Sequence, residues 1–412
     1  MTDDSNRTTL TATDPDAAAL LDLESRWGAH NYLPLPVVIA RARGVWVHDV
    51  DGRRYLDCLS AYSALNQGHA HPRILAALWE QAQRVTLTSR AFHNDRLPLF
   101  CRALAERTGL DAVLPMNSGA EAVETAIKAA RRWGYEVKGI APDRAEIIVC
   151  AGNFHGRTTT IISASTEEEY RRGFGPFTPG FVVVPYGDLD ALAAAIRPET
   201  CAFLVEPIQC EAGIVMPPDG YLAAAAALCR EHRVLLVADE IQTGLGRTGR
   251  WFACEHEGVQ PDVYVLGKAL SGGCYPVSAV VGRAEVMNVF TPGSHGSTFG
   301  GSPLACAVAL AALDVIEDEG LVARSAELGQ VLIEALAGAP RPPVRDIRGR
   351  GLLVGIELDR PARPYCERLM QRGLLCKETH ERVIRLAPPL VIERAEVEWL
   401  AREVVETLGE AL

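Results

Sequence analysis

VLLVADEIQTG, residues 234–244, drives an unbroken apolar run into two adjacent carboxylates, Asp239 and Glu240. Such a run fits a strand buried on both faces, as in a parallel sheet covered by helices. In open sheets of that kind ligands bind outside the carboxyl ends of the strands, so Asp239 is aimed at a pocket. Further on, DVYVLGKALSGG (262–273) repeats the design and puts Lys268 just after a strand, beside Gly267. Singly, a strand-end Asp is more often a cap or loop hydrogen-bonder and a strand-end Lys usually a solvated cation. Together they suggest an acid and an amine facing one ligand.

The pattern extends outward. From Leu110 to about Phe299, the runs AEIIVCA, FVVVPY and CAFLVEP alternate with Ala-rich helical stretches such as ALAAAIR and LAAAAALCREH. Strand and helix in alternation predict an α/β fold with a mostly parallel central sheet. Beyond Pro303 a long Ala/Leu-rich helical segment precedes GRGLLVGIEL and RVIRLAPPL, two strands separated by a helix, which reads as a smaller α/β C-terminal domain. Near the start, GVWVHDVDGRRYLDCLS alternates on either side of Asp51-Gly52, the sign of a β-hairpin. The chain has 412 residues, more than the ~250–300 that one core usually supports. The expected division is a tail over 1–20, an N-terminal segment over 21–60 packing with the small domain, a large ligand-binding domain over 61–302 and the small domain over 303–412.

Composition narrows the function. Hydrophobic residues make up 48% and charged residues 23%, with a formal net charge of −11. No clustered Lys/Arg footprint for nucleic acid is present, and small-molecule partners are expected. The acidic, polar start lacks the basic and apolar regions of a secretory signal, and no apolar stretch reaches the ~20 residues that cross a bilayer. Eleven cysteines without a C-x-x-C pair read as reduced thiols of a cytoplasmic protein.

Two more elements converge on the same sheet edge. In VLPMNSGAEAVETAIKAARRWG (113–134) the turn Asn117-Ser118-Gly119-Ala120 opens a helix expected to close near Gly134. Its first turn offers free N–H groups and a hydroxyl to a phosphate, although Ser118 alone is an ordinary N-cap. AGNFHGRT (151–158) follows another strand and brings Phe154, His155 and Arg157. A phosphate cradle, an aromatic face, a carboxylate and a lysine are what pyridoxal 5'-phosphate requires: the lysine forms the Schiff base and the carboxylate keeps the ring nitrogen protonated.

With these motifs in order the chain resembles the class III, fold-type I aminotransferases, and within them the ornithine aminotransferases. The likeness runs from about Gly28 to Pro389. It includes AHNYLPLPV, LSAYSALNQGHAHP, LTSRAFHN, GFGPFTPGF, VEPIQCEAG, ADEIQTGLGRTGRW, VLGKALSGGCYPVSAV, GSTFGGSPL, RGRGLLVGIEL and VIRLAPPL, besides the segments around Ser118 and Phe154. The resemblance implies a PLP-dependent transaminase with Lys268 and Asp239 as catalytic residues. Gln242 would lie near the cofactor's phenolic oxygen, Phe154 on its ring with His155 alongside, and Ser118, Gly119 and Ala120 at its phosphate. Thr298, with Ser297 before it, matches a phosphate ligand donated by a neighbouring subunit, so a homodimer or dimer-based oligomer with shared sites is implied. Substrate recognition would fall to Tyr32, Tyr62, Arg157, Glu211 and Arg385. Tyr32 and Arg157 would hold the α-carboxylate of ornithine, while Glu211 masks Arg385 until glutamate or 2-oxoglutarate binds.

An amino-acid donor and a 2-oxo-acid acceptor are thus the expected partners. Tyr62 favours ornithine or a close analogue over acetylornithine, γ-aminobutyrate or lysine. The alternative of a catalytically silent PLP-binding regulator is disfavoured by the intact Lys268, Asp239 and Gln242. The sequence departs from the family at His155, where tryptophan is common, at Cys210 in place of glycine and at Ser118 in place of threonine. GLGRTG (244–249) fits G-x-G-x-x-G, but no long helix opens from it, so it is not read as a dinucleotide site. His69 and His71 are read as structural, with no carboxylate or thiol partner near them in sequence, and no metal is expected.

Overall fold

The computed structural model describes residues 16–412. The expected tail falls mostly outside these residues. Its last positions do not extend freely: Asp16 caps a helix over Ala17–Trp27 by accepting the N–H of Ala19 at 2.8 Å.

Among the described residues fifteen strands form three sheets. Strands β1 (Ile39–Arg43), β2 (Trp46–Asp49) and β3 (Arg54–Asp57) form an antiparallel meander, with the β2–β3 hairpin turning at Asp51-Gly52. The central sheet uses β4 (Ala112–Met116), β5 (Glu146–Cys150), β6 (Phe181–Val184), β7 (Thr200–Val205), β8 (Leu235–Asp239), β9 (Val263–Leu266) and β10 (Ser278–Gly282). Their order is β4-β10-β9-β8-β7-β5-β6, parallel from β9 through β6, with β10 antiparallel to both its neighbours. The last sheet combines β11 (Val344–Arg350) and β12 (Leu353–Leu358), after which β13 (Leu374–Leu375) leaves to join β3 in parallel, while β14 (Lys377–Thr379) and β15 (Val383–Leu386) complete the order β11-β12-β15-β14.

The apolar runs have a direct physical reading. Ile148, Phe203 and Leu236 face one hydrophobic cluster, and their neighbours Ile147, Leu204 and Val237 face another. Both faces of the sheet are therefore buried, and alternating polar residues would have had nowhere to go. The strand ends gather polar groups on one edge.

The helix over Gly119–Trp133 starts at a capping box, in which Ser118 Oγ accepts the Glu121 N–H and Glu121 returns a carboxylate to the Ser118 N–H. As the sequence led us to expect, the α-helix closes at Gly134, its C-cap. A π-helical turn over Gly134–Lys138 follows, and Gly139, with a φ of 85°, ends it. Gly134 serves close packing: a Cβ there would meet Cys201 Cβ at 2.8 Å.

Candidate functional site

The carboxyl ends of β5, β7, β8 and β9 surround a cavity of about 120 Å³, lined among others by Gly119, Ala120, Phe154, Asp239, Gln242 and Lys268. Asp239 ends β8 and is 4% exposed. One carboxylate oxygen accepts the N–H of Ile241 at 3.1 Å, and the other lies 2.7 Å from His155 Nδ1. Burial opposes a charge on His155, but the hydrogen bond and charge of Asp239, with Glu206 behind, raise the imidazole above its ordinary value. Its Nε2 is buried without a partner.

Lys268 follows β9 with a φ of 44°, a left-handed conformation costly for a residue with a Cβ. The short 3₁₀ turn Lys268–Ser271 holds it: Ser271 Oγ donates to the Lys268 carbonyl at 2.8 Å, and Gln67 Nε2 donates to the Ala269 carbonyl at 3.0 Å. Burial brings the amine below the ordinary lysine value, against the pull of Glu211. A buried amine so shifted is a better nucleophile and base near neutral pH.

Gly119 and Ala120 are the first two residues of their helix, where N–H groups have no intrahelical acceptor. Ser118 is different. Its hydroxyl is committed to the capping box and it does not line the cavity.

A second layer lies above the cavity. Arg385, 1% exposed on β15, donates to Glu211 Oε1 at 3.0 Å, Gln242 Oε1 at 3.2 Å, the Cys210 carbonyl at 2.9 Å and Thr379 Oγ1 at 3.2 Å. Gln242 Nε2 also donates to Glu211 Oε1 at 3.1 Å, so the cavity wall and the ion pair form one network. Burial would raise the Glu211 carboxyl, but Arg385 holds it below the ordinary value. The Tyr62 ring lies 5.3 Å from Arg385 Cζ. Tyr32 is 71% exposed and shares a largely apolar pocket with Tyr62.

Arg157 is exposed, its guanidinium 3.8 Å from the centre of the Tyr170 ring and 5.6 Å from that of Phe154. Tyr170 was not singled out from sequence and carried no motif signal, because it sits in the short helix Glu168–Arg171 between loops. Glu206 was also missed, although the strand-end rule that found Asp239 applies to it: it follows β7, is buried, and accepts the Phe154 N–H at 2.8 Å. Burial pushes its carboxyl up to about 8.

Ser297 accepts from Asn117 Nδ2 and the Gly300 N–H, both at 3.0 Å, and Thr298 is exposed; neither lines the cavity of its own chain. His69 and His71 do have carboxylates in space, Asp57 at 2.7 Å and Glu319 at 2.9 Å, brought from elsewhere in the chain. In the GLGRTG stretch Arg247 is buried and donates to the carbonyls of Leu352 and Pro388 and to Asn66 Oδ1, tying segments together where a nucleotide fingerprint would open a helix. Among the described residues no group of three or more His, Cys, Asp or Glu side chains could hold a metal ion, and no helix is long and apolar enough to cross a membrane.

Known proteins share this architecture. The family model for class III aminotransferases matches residues 27–408. The ornithine aminotransferase of Exiguobacterium is 61% identical over 389 residues, 94% of this chain and 97% of the relative. The crystallised ornithine aminotransferase of Toxoplasma gondii, with partial occupancy of PLP at its active site, is 48% identical with a TM-score of 0.94, covering 95% of this chain and 94% of that one. The acetylornithine aminotransferase of Elizabethkingia anophelis is 47% identical with a TM-score of 0.87, covering 96% and 99%. Parallel sheet, strand-end carboxylate, cavity lysine and these matches lead to one conclusion: the chain belongs to the class III aminotransferases, enzymes that work with pyridoxal phosphate.

Proposed function

We propose that this enzyme removes the δ-amino group of ornithine, or of a close ornithine analogue, and passes it to 2-oxoglutarate, giving glutamate semialdehyde and glutamate. The observation that carries this reading is the Glu211–Arg385 pair beside Tyr62. The relatives near 60% identity support it, since they are ornithine aminotransferases.

The residues around the cavity fit pyridoxal phosphate. Lys268 lines the cavity, Asp239 presents a buried carboxylate, and a Cβ on Gly119 would press on Ile241 at 3.1 Å, so glycine there keeps the helix start open. Lys268 would hold the cofactor's aldehyde carbon, Asp239 its ring nitrogen and Phe154 one ring face. Gln242 would stand near its phenolic oxygen with His155 behind Asp239, and the N–H groups of Gly119 and Ala120 would meet its phosphate. When bound, the cofactor supplies a protonated ring that draws off the electron pair left when the substrate carbon loses a proton. Lys268 carries that proton away and returns it, with an amine whose charged form burial disfavours, so that it is free to accept a proton. Asp239 keeps the ring nitrogen protonated, and His155 fixes the orientation of that carboxylate.

Tyr32 and Arg157 would take the donor's α-carboxylate, leaving the far amine at the cofactor. Arg385 is then surplus, and an unpaired guanidinium beside a cationic donor is unfavourable; Glu211 masks it. When a dicarboxylate binds, the pair opens and Arg385 receives a carboxylate. Thr298 and Ser297, away from their own cavity, would complete the phosphate site of a second copy, so the working unit is a homodimer. The eleven cysteines are all free, and all but Cys101 and Cys274 are buried, which supports a reducing, cytoplasmic location.

A panel of half-reactions tests this. Ornithine, acetylornithine, γ-aminobutyrate, lysine and glutamate are each mixed with the holoenzyme, and the loss of the lysine-bound cofactor's visible band is timed. Ornithine or a hydroxylated ornithine should react fastest among the ω-amines; a faster reaction with acetylornithine or γ-aminobutyrate would reassign the donor.

A further inference from the structure

Tyr62 stands on backbone of the unusual hand. Ser60, Ala61, Tyr62 and Ser63 have φ values of 51°, 47°, 62° and 67°. None is glycine, and residues with a Cβ normally visit this region singly, since each pays a steric penalty there. The turn is closed by N–H groups of Ala64 and Leu65 donating to the Ser60 carbonyl at 2.8 and 3.1 Å. These local bonds alone do not select the left-handed form, because a right-handed turn makes similar ones.

What selects it comes from outside the turn. Asp57 Oδ1 accepts the N–H groups of Leu59 at 2.9 Å and Ser60 at 2.8 Å, and Asp57 Oδ2 lies 2.7 Å from His69 Nε2. The Ser60 hydroxyl donates to the Ala387 carbonyl at 2.7 Å, and the Ala387 N–H donates to the Cys58 carbonyl at 2.7 Å. Ala387 lies just past the strand that carries Arg385. The turn is thus tied to that strand end by one residue on each side of Leu59. Released from these ties it would relax toward the right-handed form and swing the Tyr62 ring away from the guanidinium. Arg385 itself would stay, since Glu211, Gln242, Thr379 and the Cys210 carbonyl hold it independently.

We propose that Asp57 and Ser60 are positioning residues for donor choice: they hold the left-handed turn that sets Tyr62 against Arg385, and do not touch the substrate. This rests on the ornithine-type reading of the site.

The test uses holoenzyme carrying Ser60→Ala or Asp57→Ala, with single-turnover rates measured over a concentration series of ornithine and of glutamate. Both variants should raise the half-saturating ornithine concentration and lower the ornithine-to-glutamate specificity ratio about tenfold, with the maximal glutamate rate held within about twofold. Ala61→Gly keeps every tie and relieves the backbone, so it should preserve the ratio and raise the melting temperature. If Ser60→Ala folds poorly, Asp57→Ala, which removes the acceptor of the Leu59 and Ser60 N–H groups, carries the same expectation. An unchanged ratio in the folded variants, or equal losses for both donors, overturns the proposal. A wild-type enzyme that ignores ornithine overturns the donor reading instead, and the two failures are told apart before any variant is made.

Discussion

His155 Nδ1 lies 2.7 Å from Asp239 Oδ2, both side chains are buried, and Glu206 closes the group from behind. Burial and the Asp239 charge push the Glu206 carboxyl up to about 8, while the His155 imidazole is raised above its ordinary value of 6.5. At neutral pH Glu206 therefore holds its proton, and the hydrogen bond and charge of Asp239 favour the protonated imidazole against the burial that opposes it. That arrangement keeps a negative charge at the cavity wall without leaving a second one unpaired behind it.

Replacing Asp239 with Asn removes the charge that would keep the cofactor nitrogen protonated but leaves the side chain's shape. The chemical step should slow by about 10²-fold, with KM for the donor changed by less than about threefold. Steady-state and single-turnover kinetics on the same preparation check this, and a large rise in KM with unchanged kcat would exclude the role.

Glu206 gives a pH-dependent stability. A carboxyl whose folded pKa is raised contributes stability that is fully present below its unfolded value of 4.5 and lost as pH rises through about 8. Glu206→Gln keeps an acceptor for the Phe154 N–H and does not titrate. Its melting temperature relative to wild type should therefore climb steadily between about pH 5 and pH 8 in cofactor-free protein. A difference that is flat across that range would mean Glu206 is ionised throughout.

Lys268→Ala should leave the fold intact and still bind pyridoxal phosphate without a covalent link. Turnover should fall by about 10³-fold or more, because the proton carrier is lost along with the attachment point. Borohydride treatment followed by peptide mass analysis should tag Lys268 in wild type and no residue in the variant. Near-normal turnover in Lys268→Ala would rule out its catalytic role.

The parts of the site that lie at strand ends were readable from the chain because a parallel sheet imposes them. Asp239 and Lys268 follow apolar runs, and Phe154 stands just past a third, so one geometric rule brings them to one edge. Glu206 obeys the same rule, but in VEPIQCEAG it shares its motif with Glu211 and carries no marker of its own. Tyr170 has no such marker; only the folded loop puts its ring under Arg157. The left-handed turn at Ser60–Ser63 is equally silent, since SAYS contains no glycine and its conformation is set by Asp57 and by Ala387, far along the chain. Gly134 was legible as a helix stop, and the α-helix ends there; what the chain did not show is that the glycine also makes room for Cys201.

The ion pair between Glu211 and Arg385 makes the most discriminating prediction. Burial works against a charge on either group, and each is kept ionised by the other: the Glu211 carboxyl lies below its ordinary value and the Arg385 guanidinium above. In Glu211→Ala the guanidinium keeps Gln242, Thr379 and the Cys210 carbonyl as acceptors but loses its only carboxylate among the described residues. A dicarboxylate can then reach Arg385 without first opening a pair, whereas a cationic donor meets an unmasked positive charge. The ornithine-to-glutamate preference, measured as single-turnover rates, should fall about tenfold or more, mostly through slower reaction with ornithine. Steady-state values mix the two half-reactions and would blur the shift. Stability should drop as well, by about 3 kcal/mol if the freed charge stays buried. Glu211→Gln separates the two effects: it retains a hydrogen bond to Arg385 Nη1 without the charge, so it should recover part of the stability while still shifting the donor preference. A preference that does not move in either variant would mean that Glu211 holds Arg385 in place without gating which carboxylate it accepts.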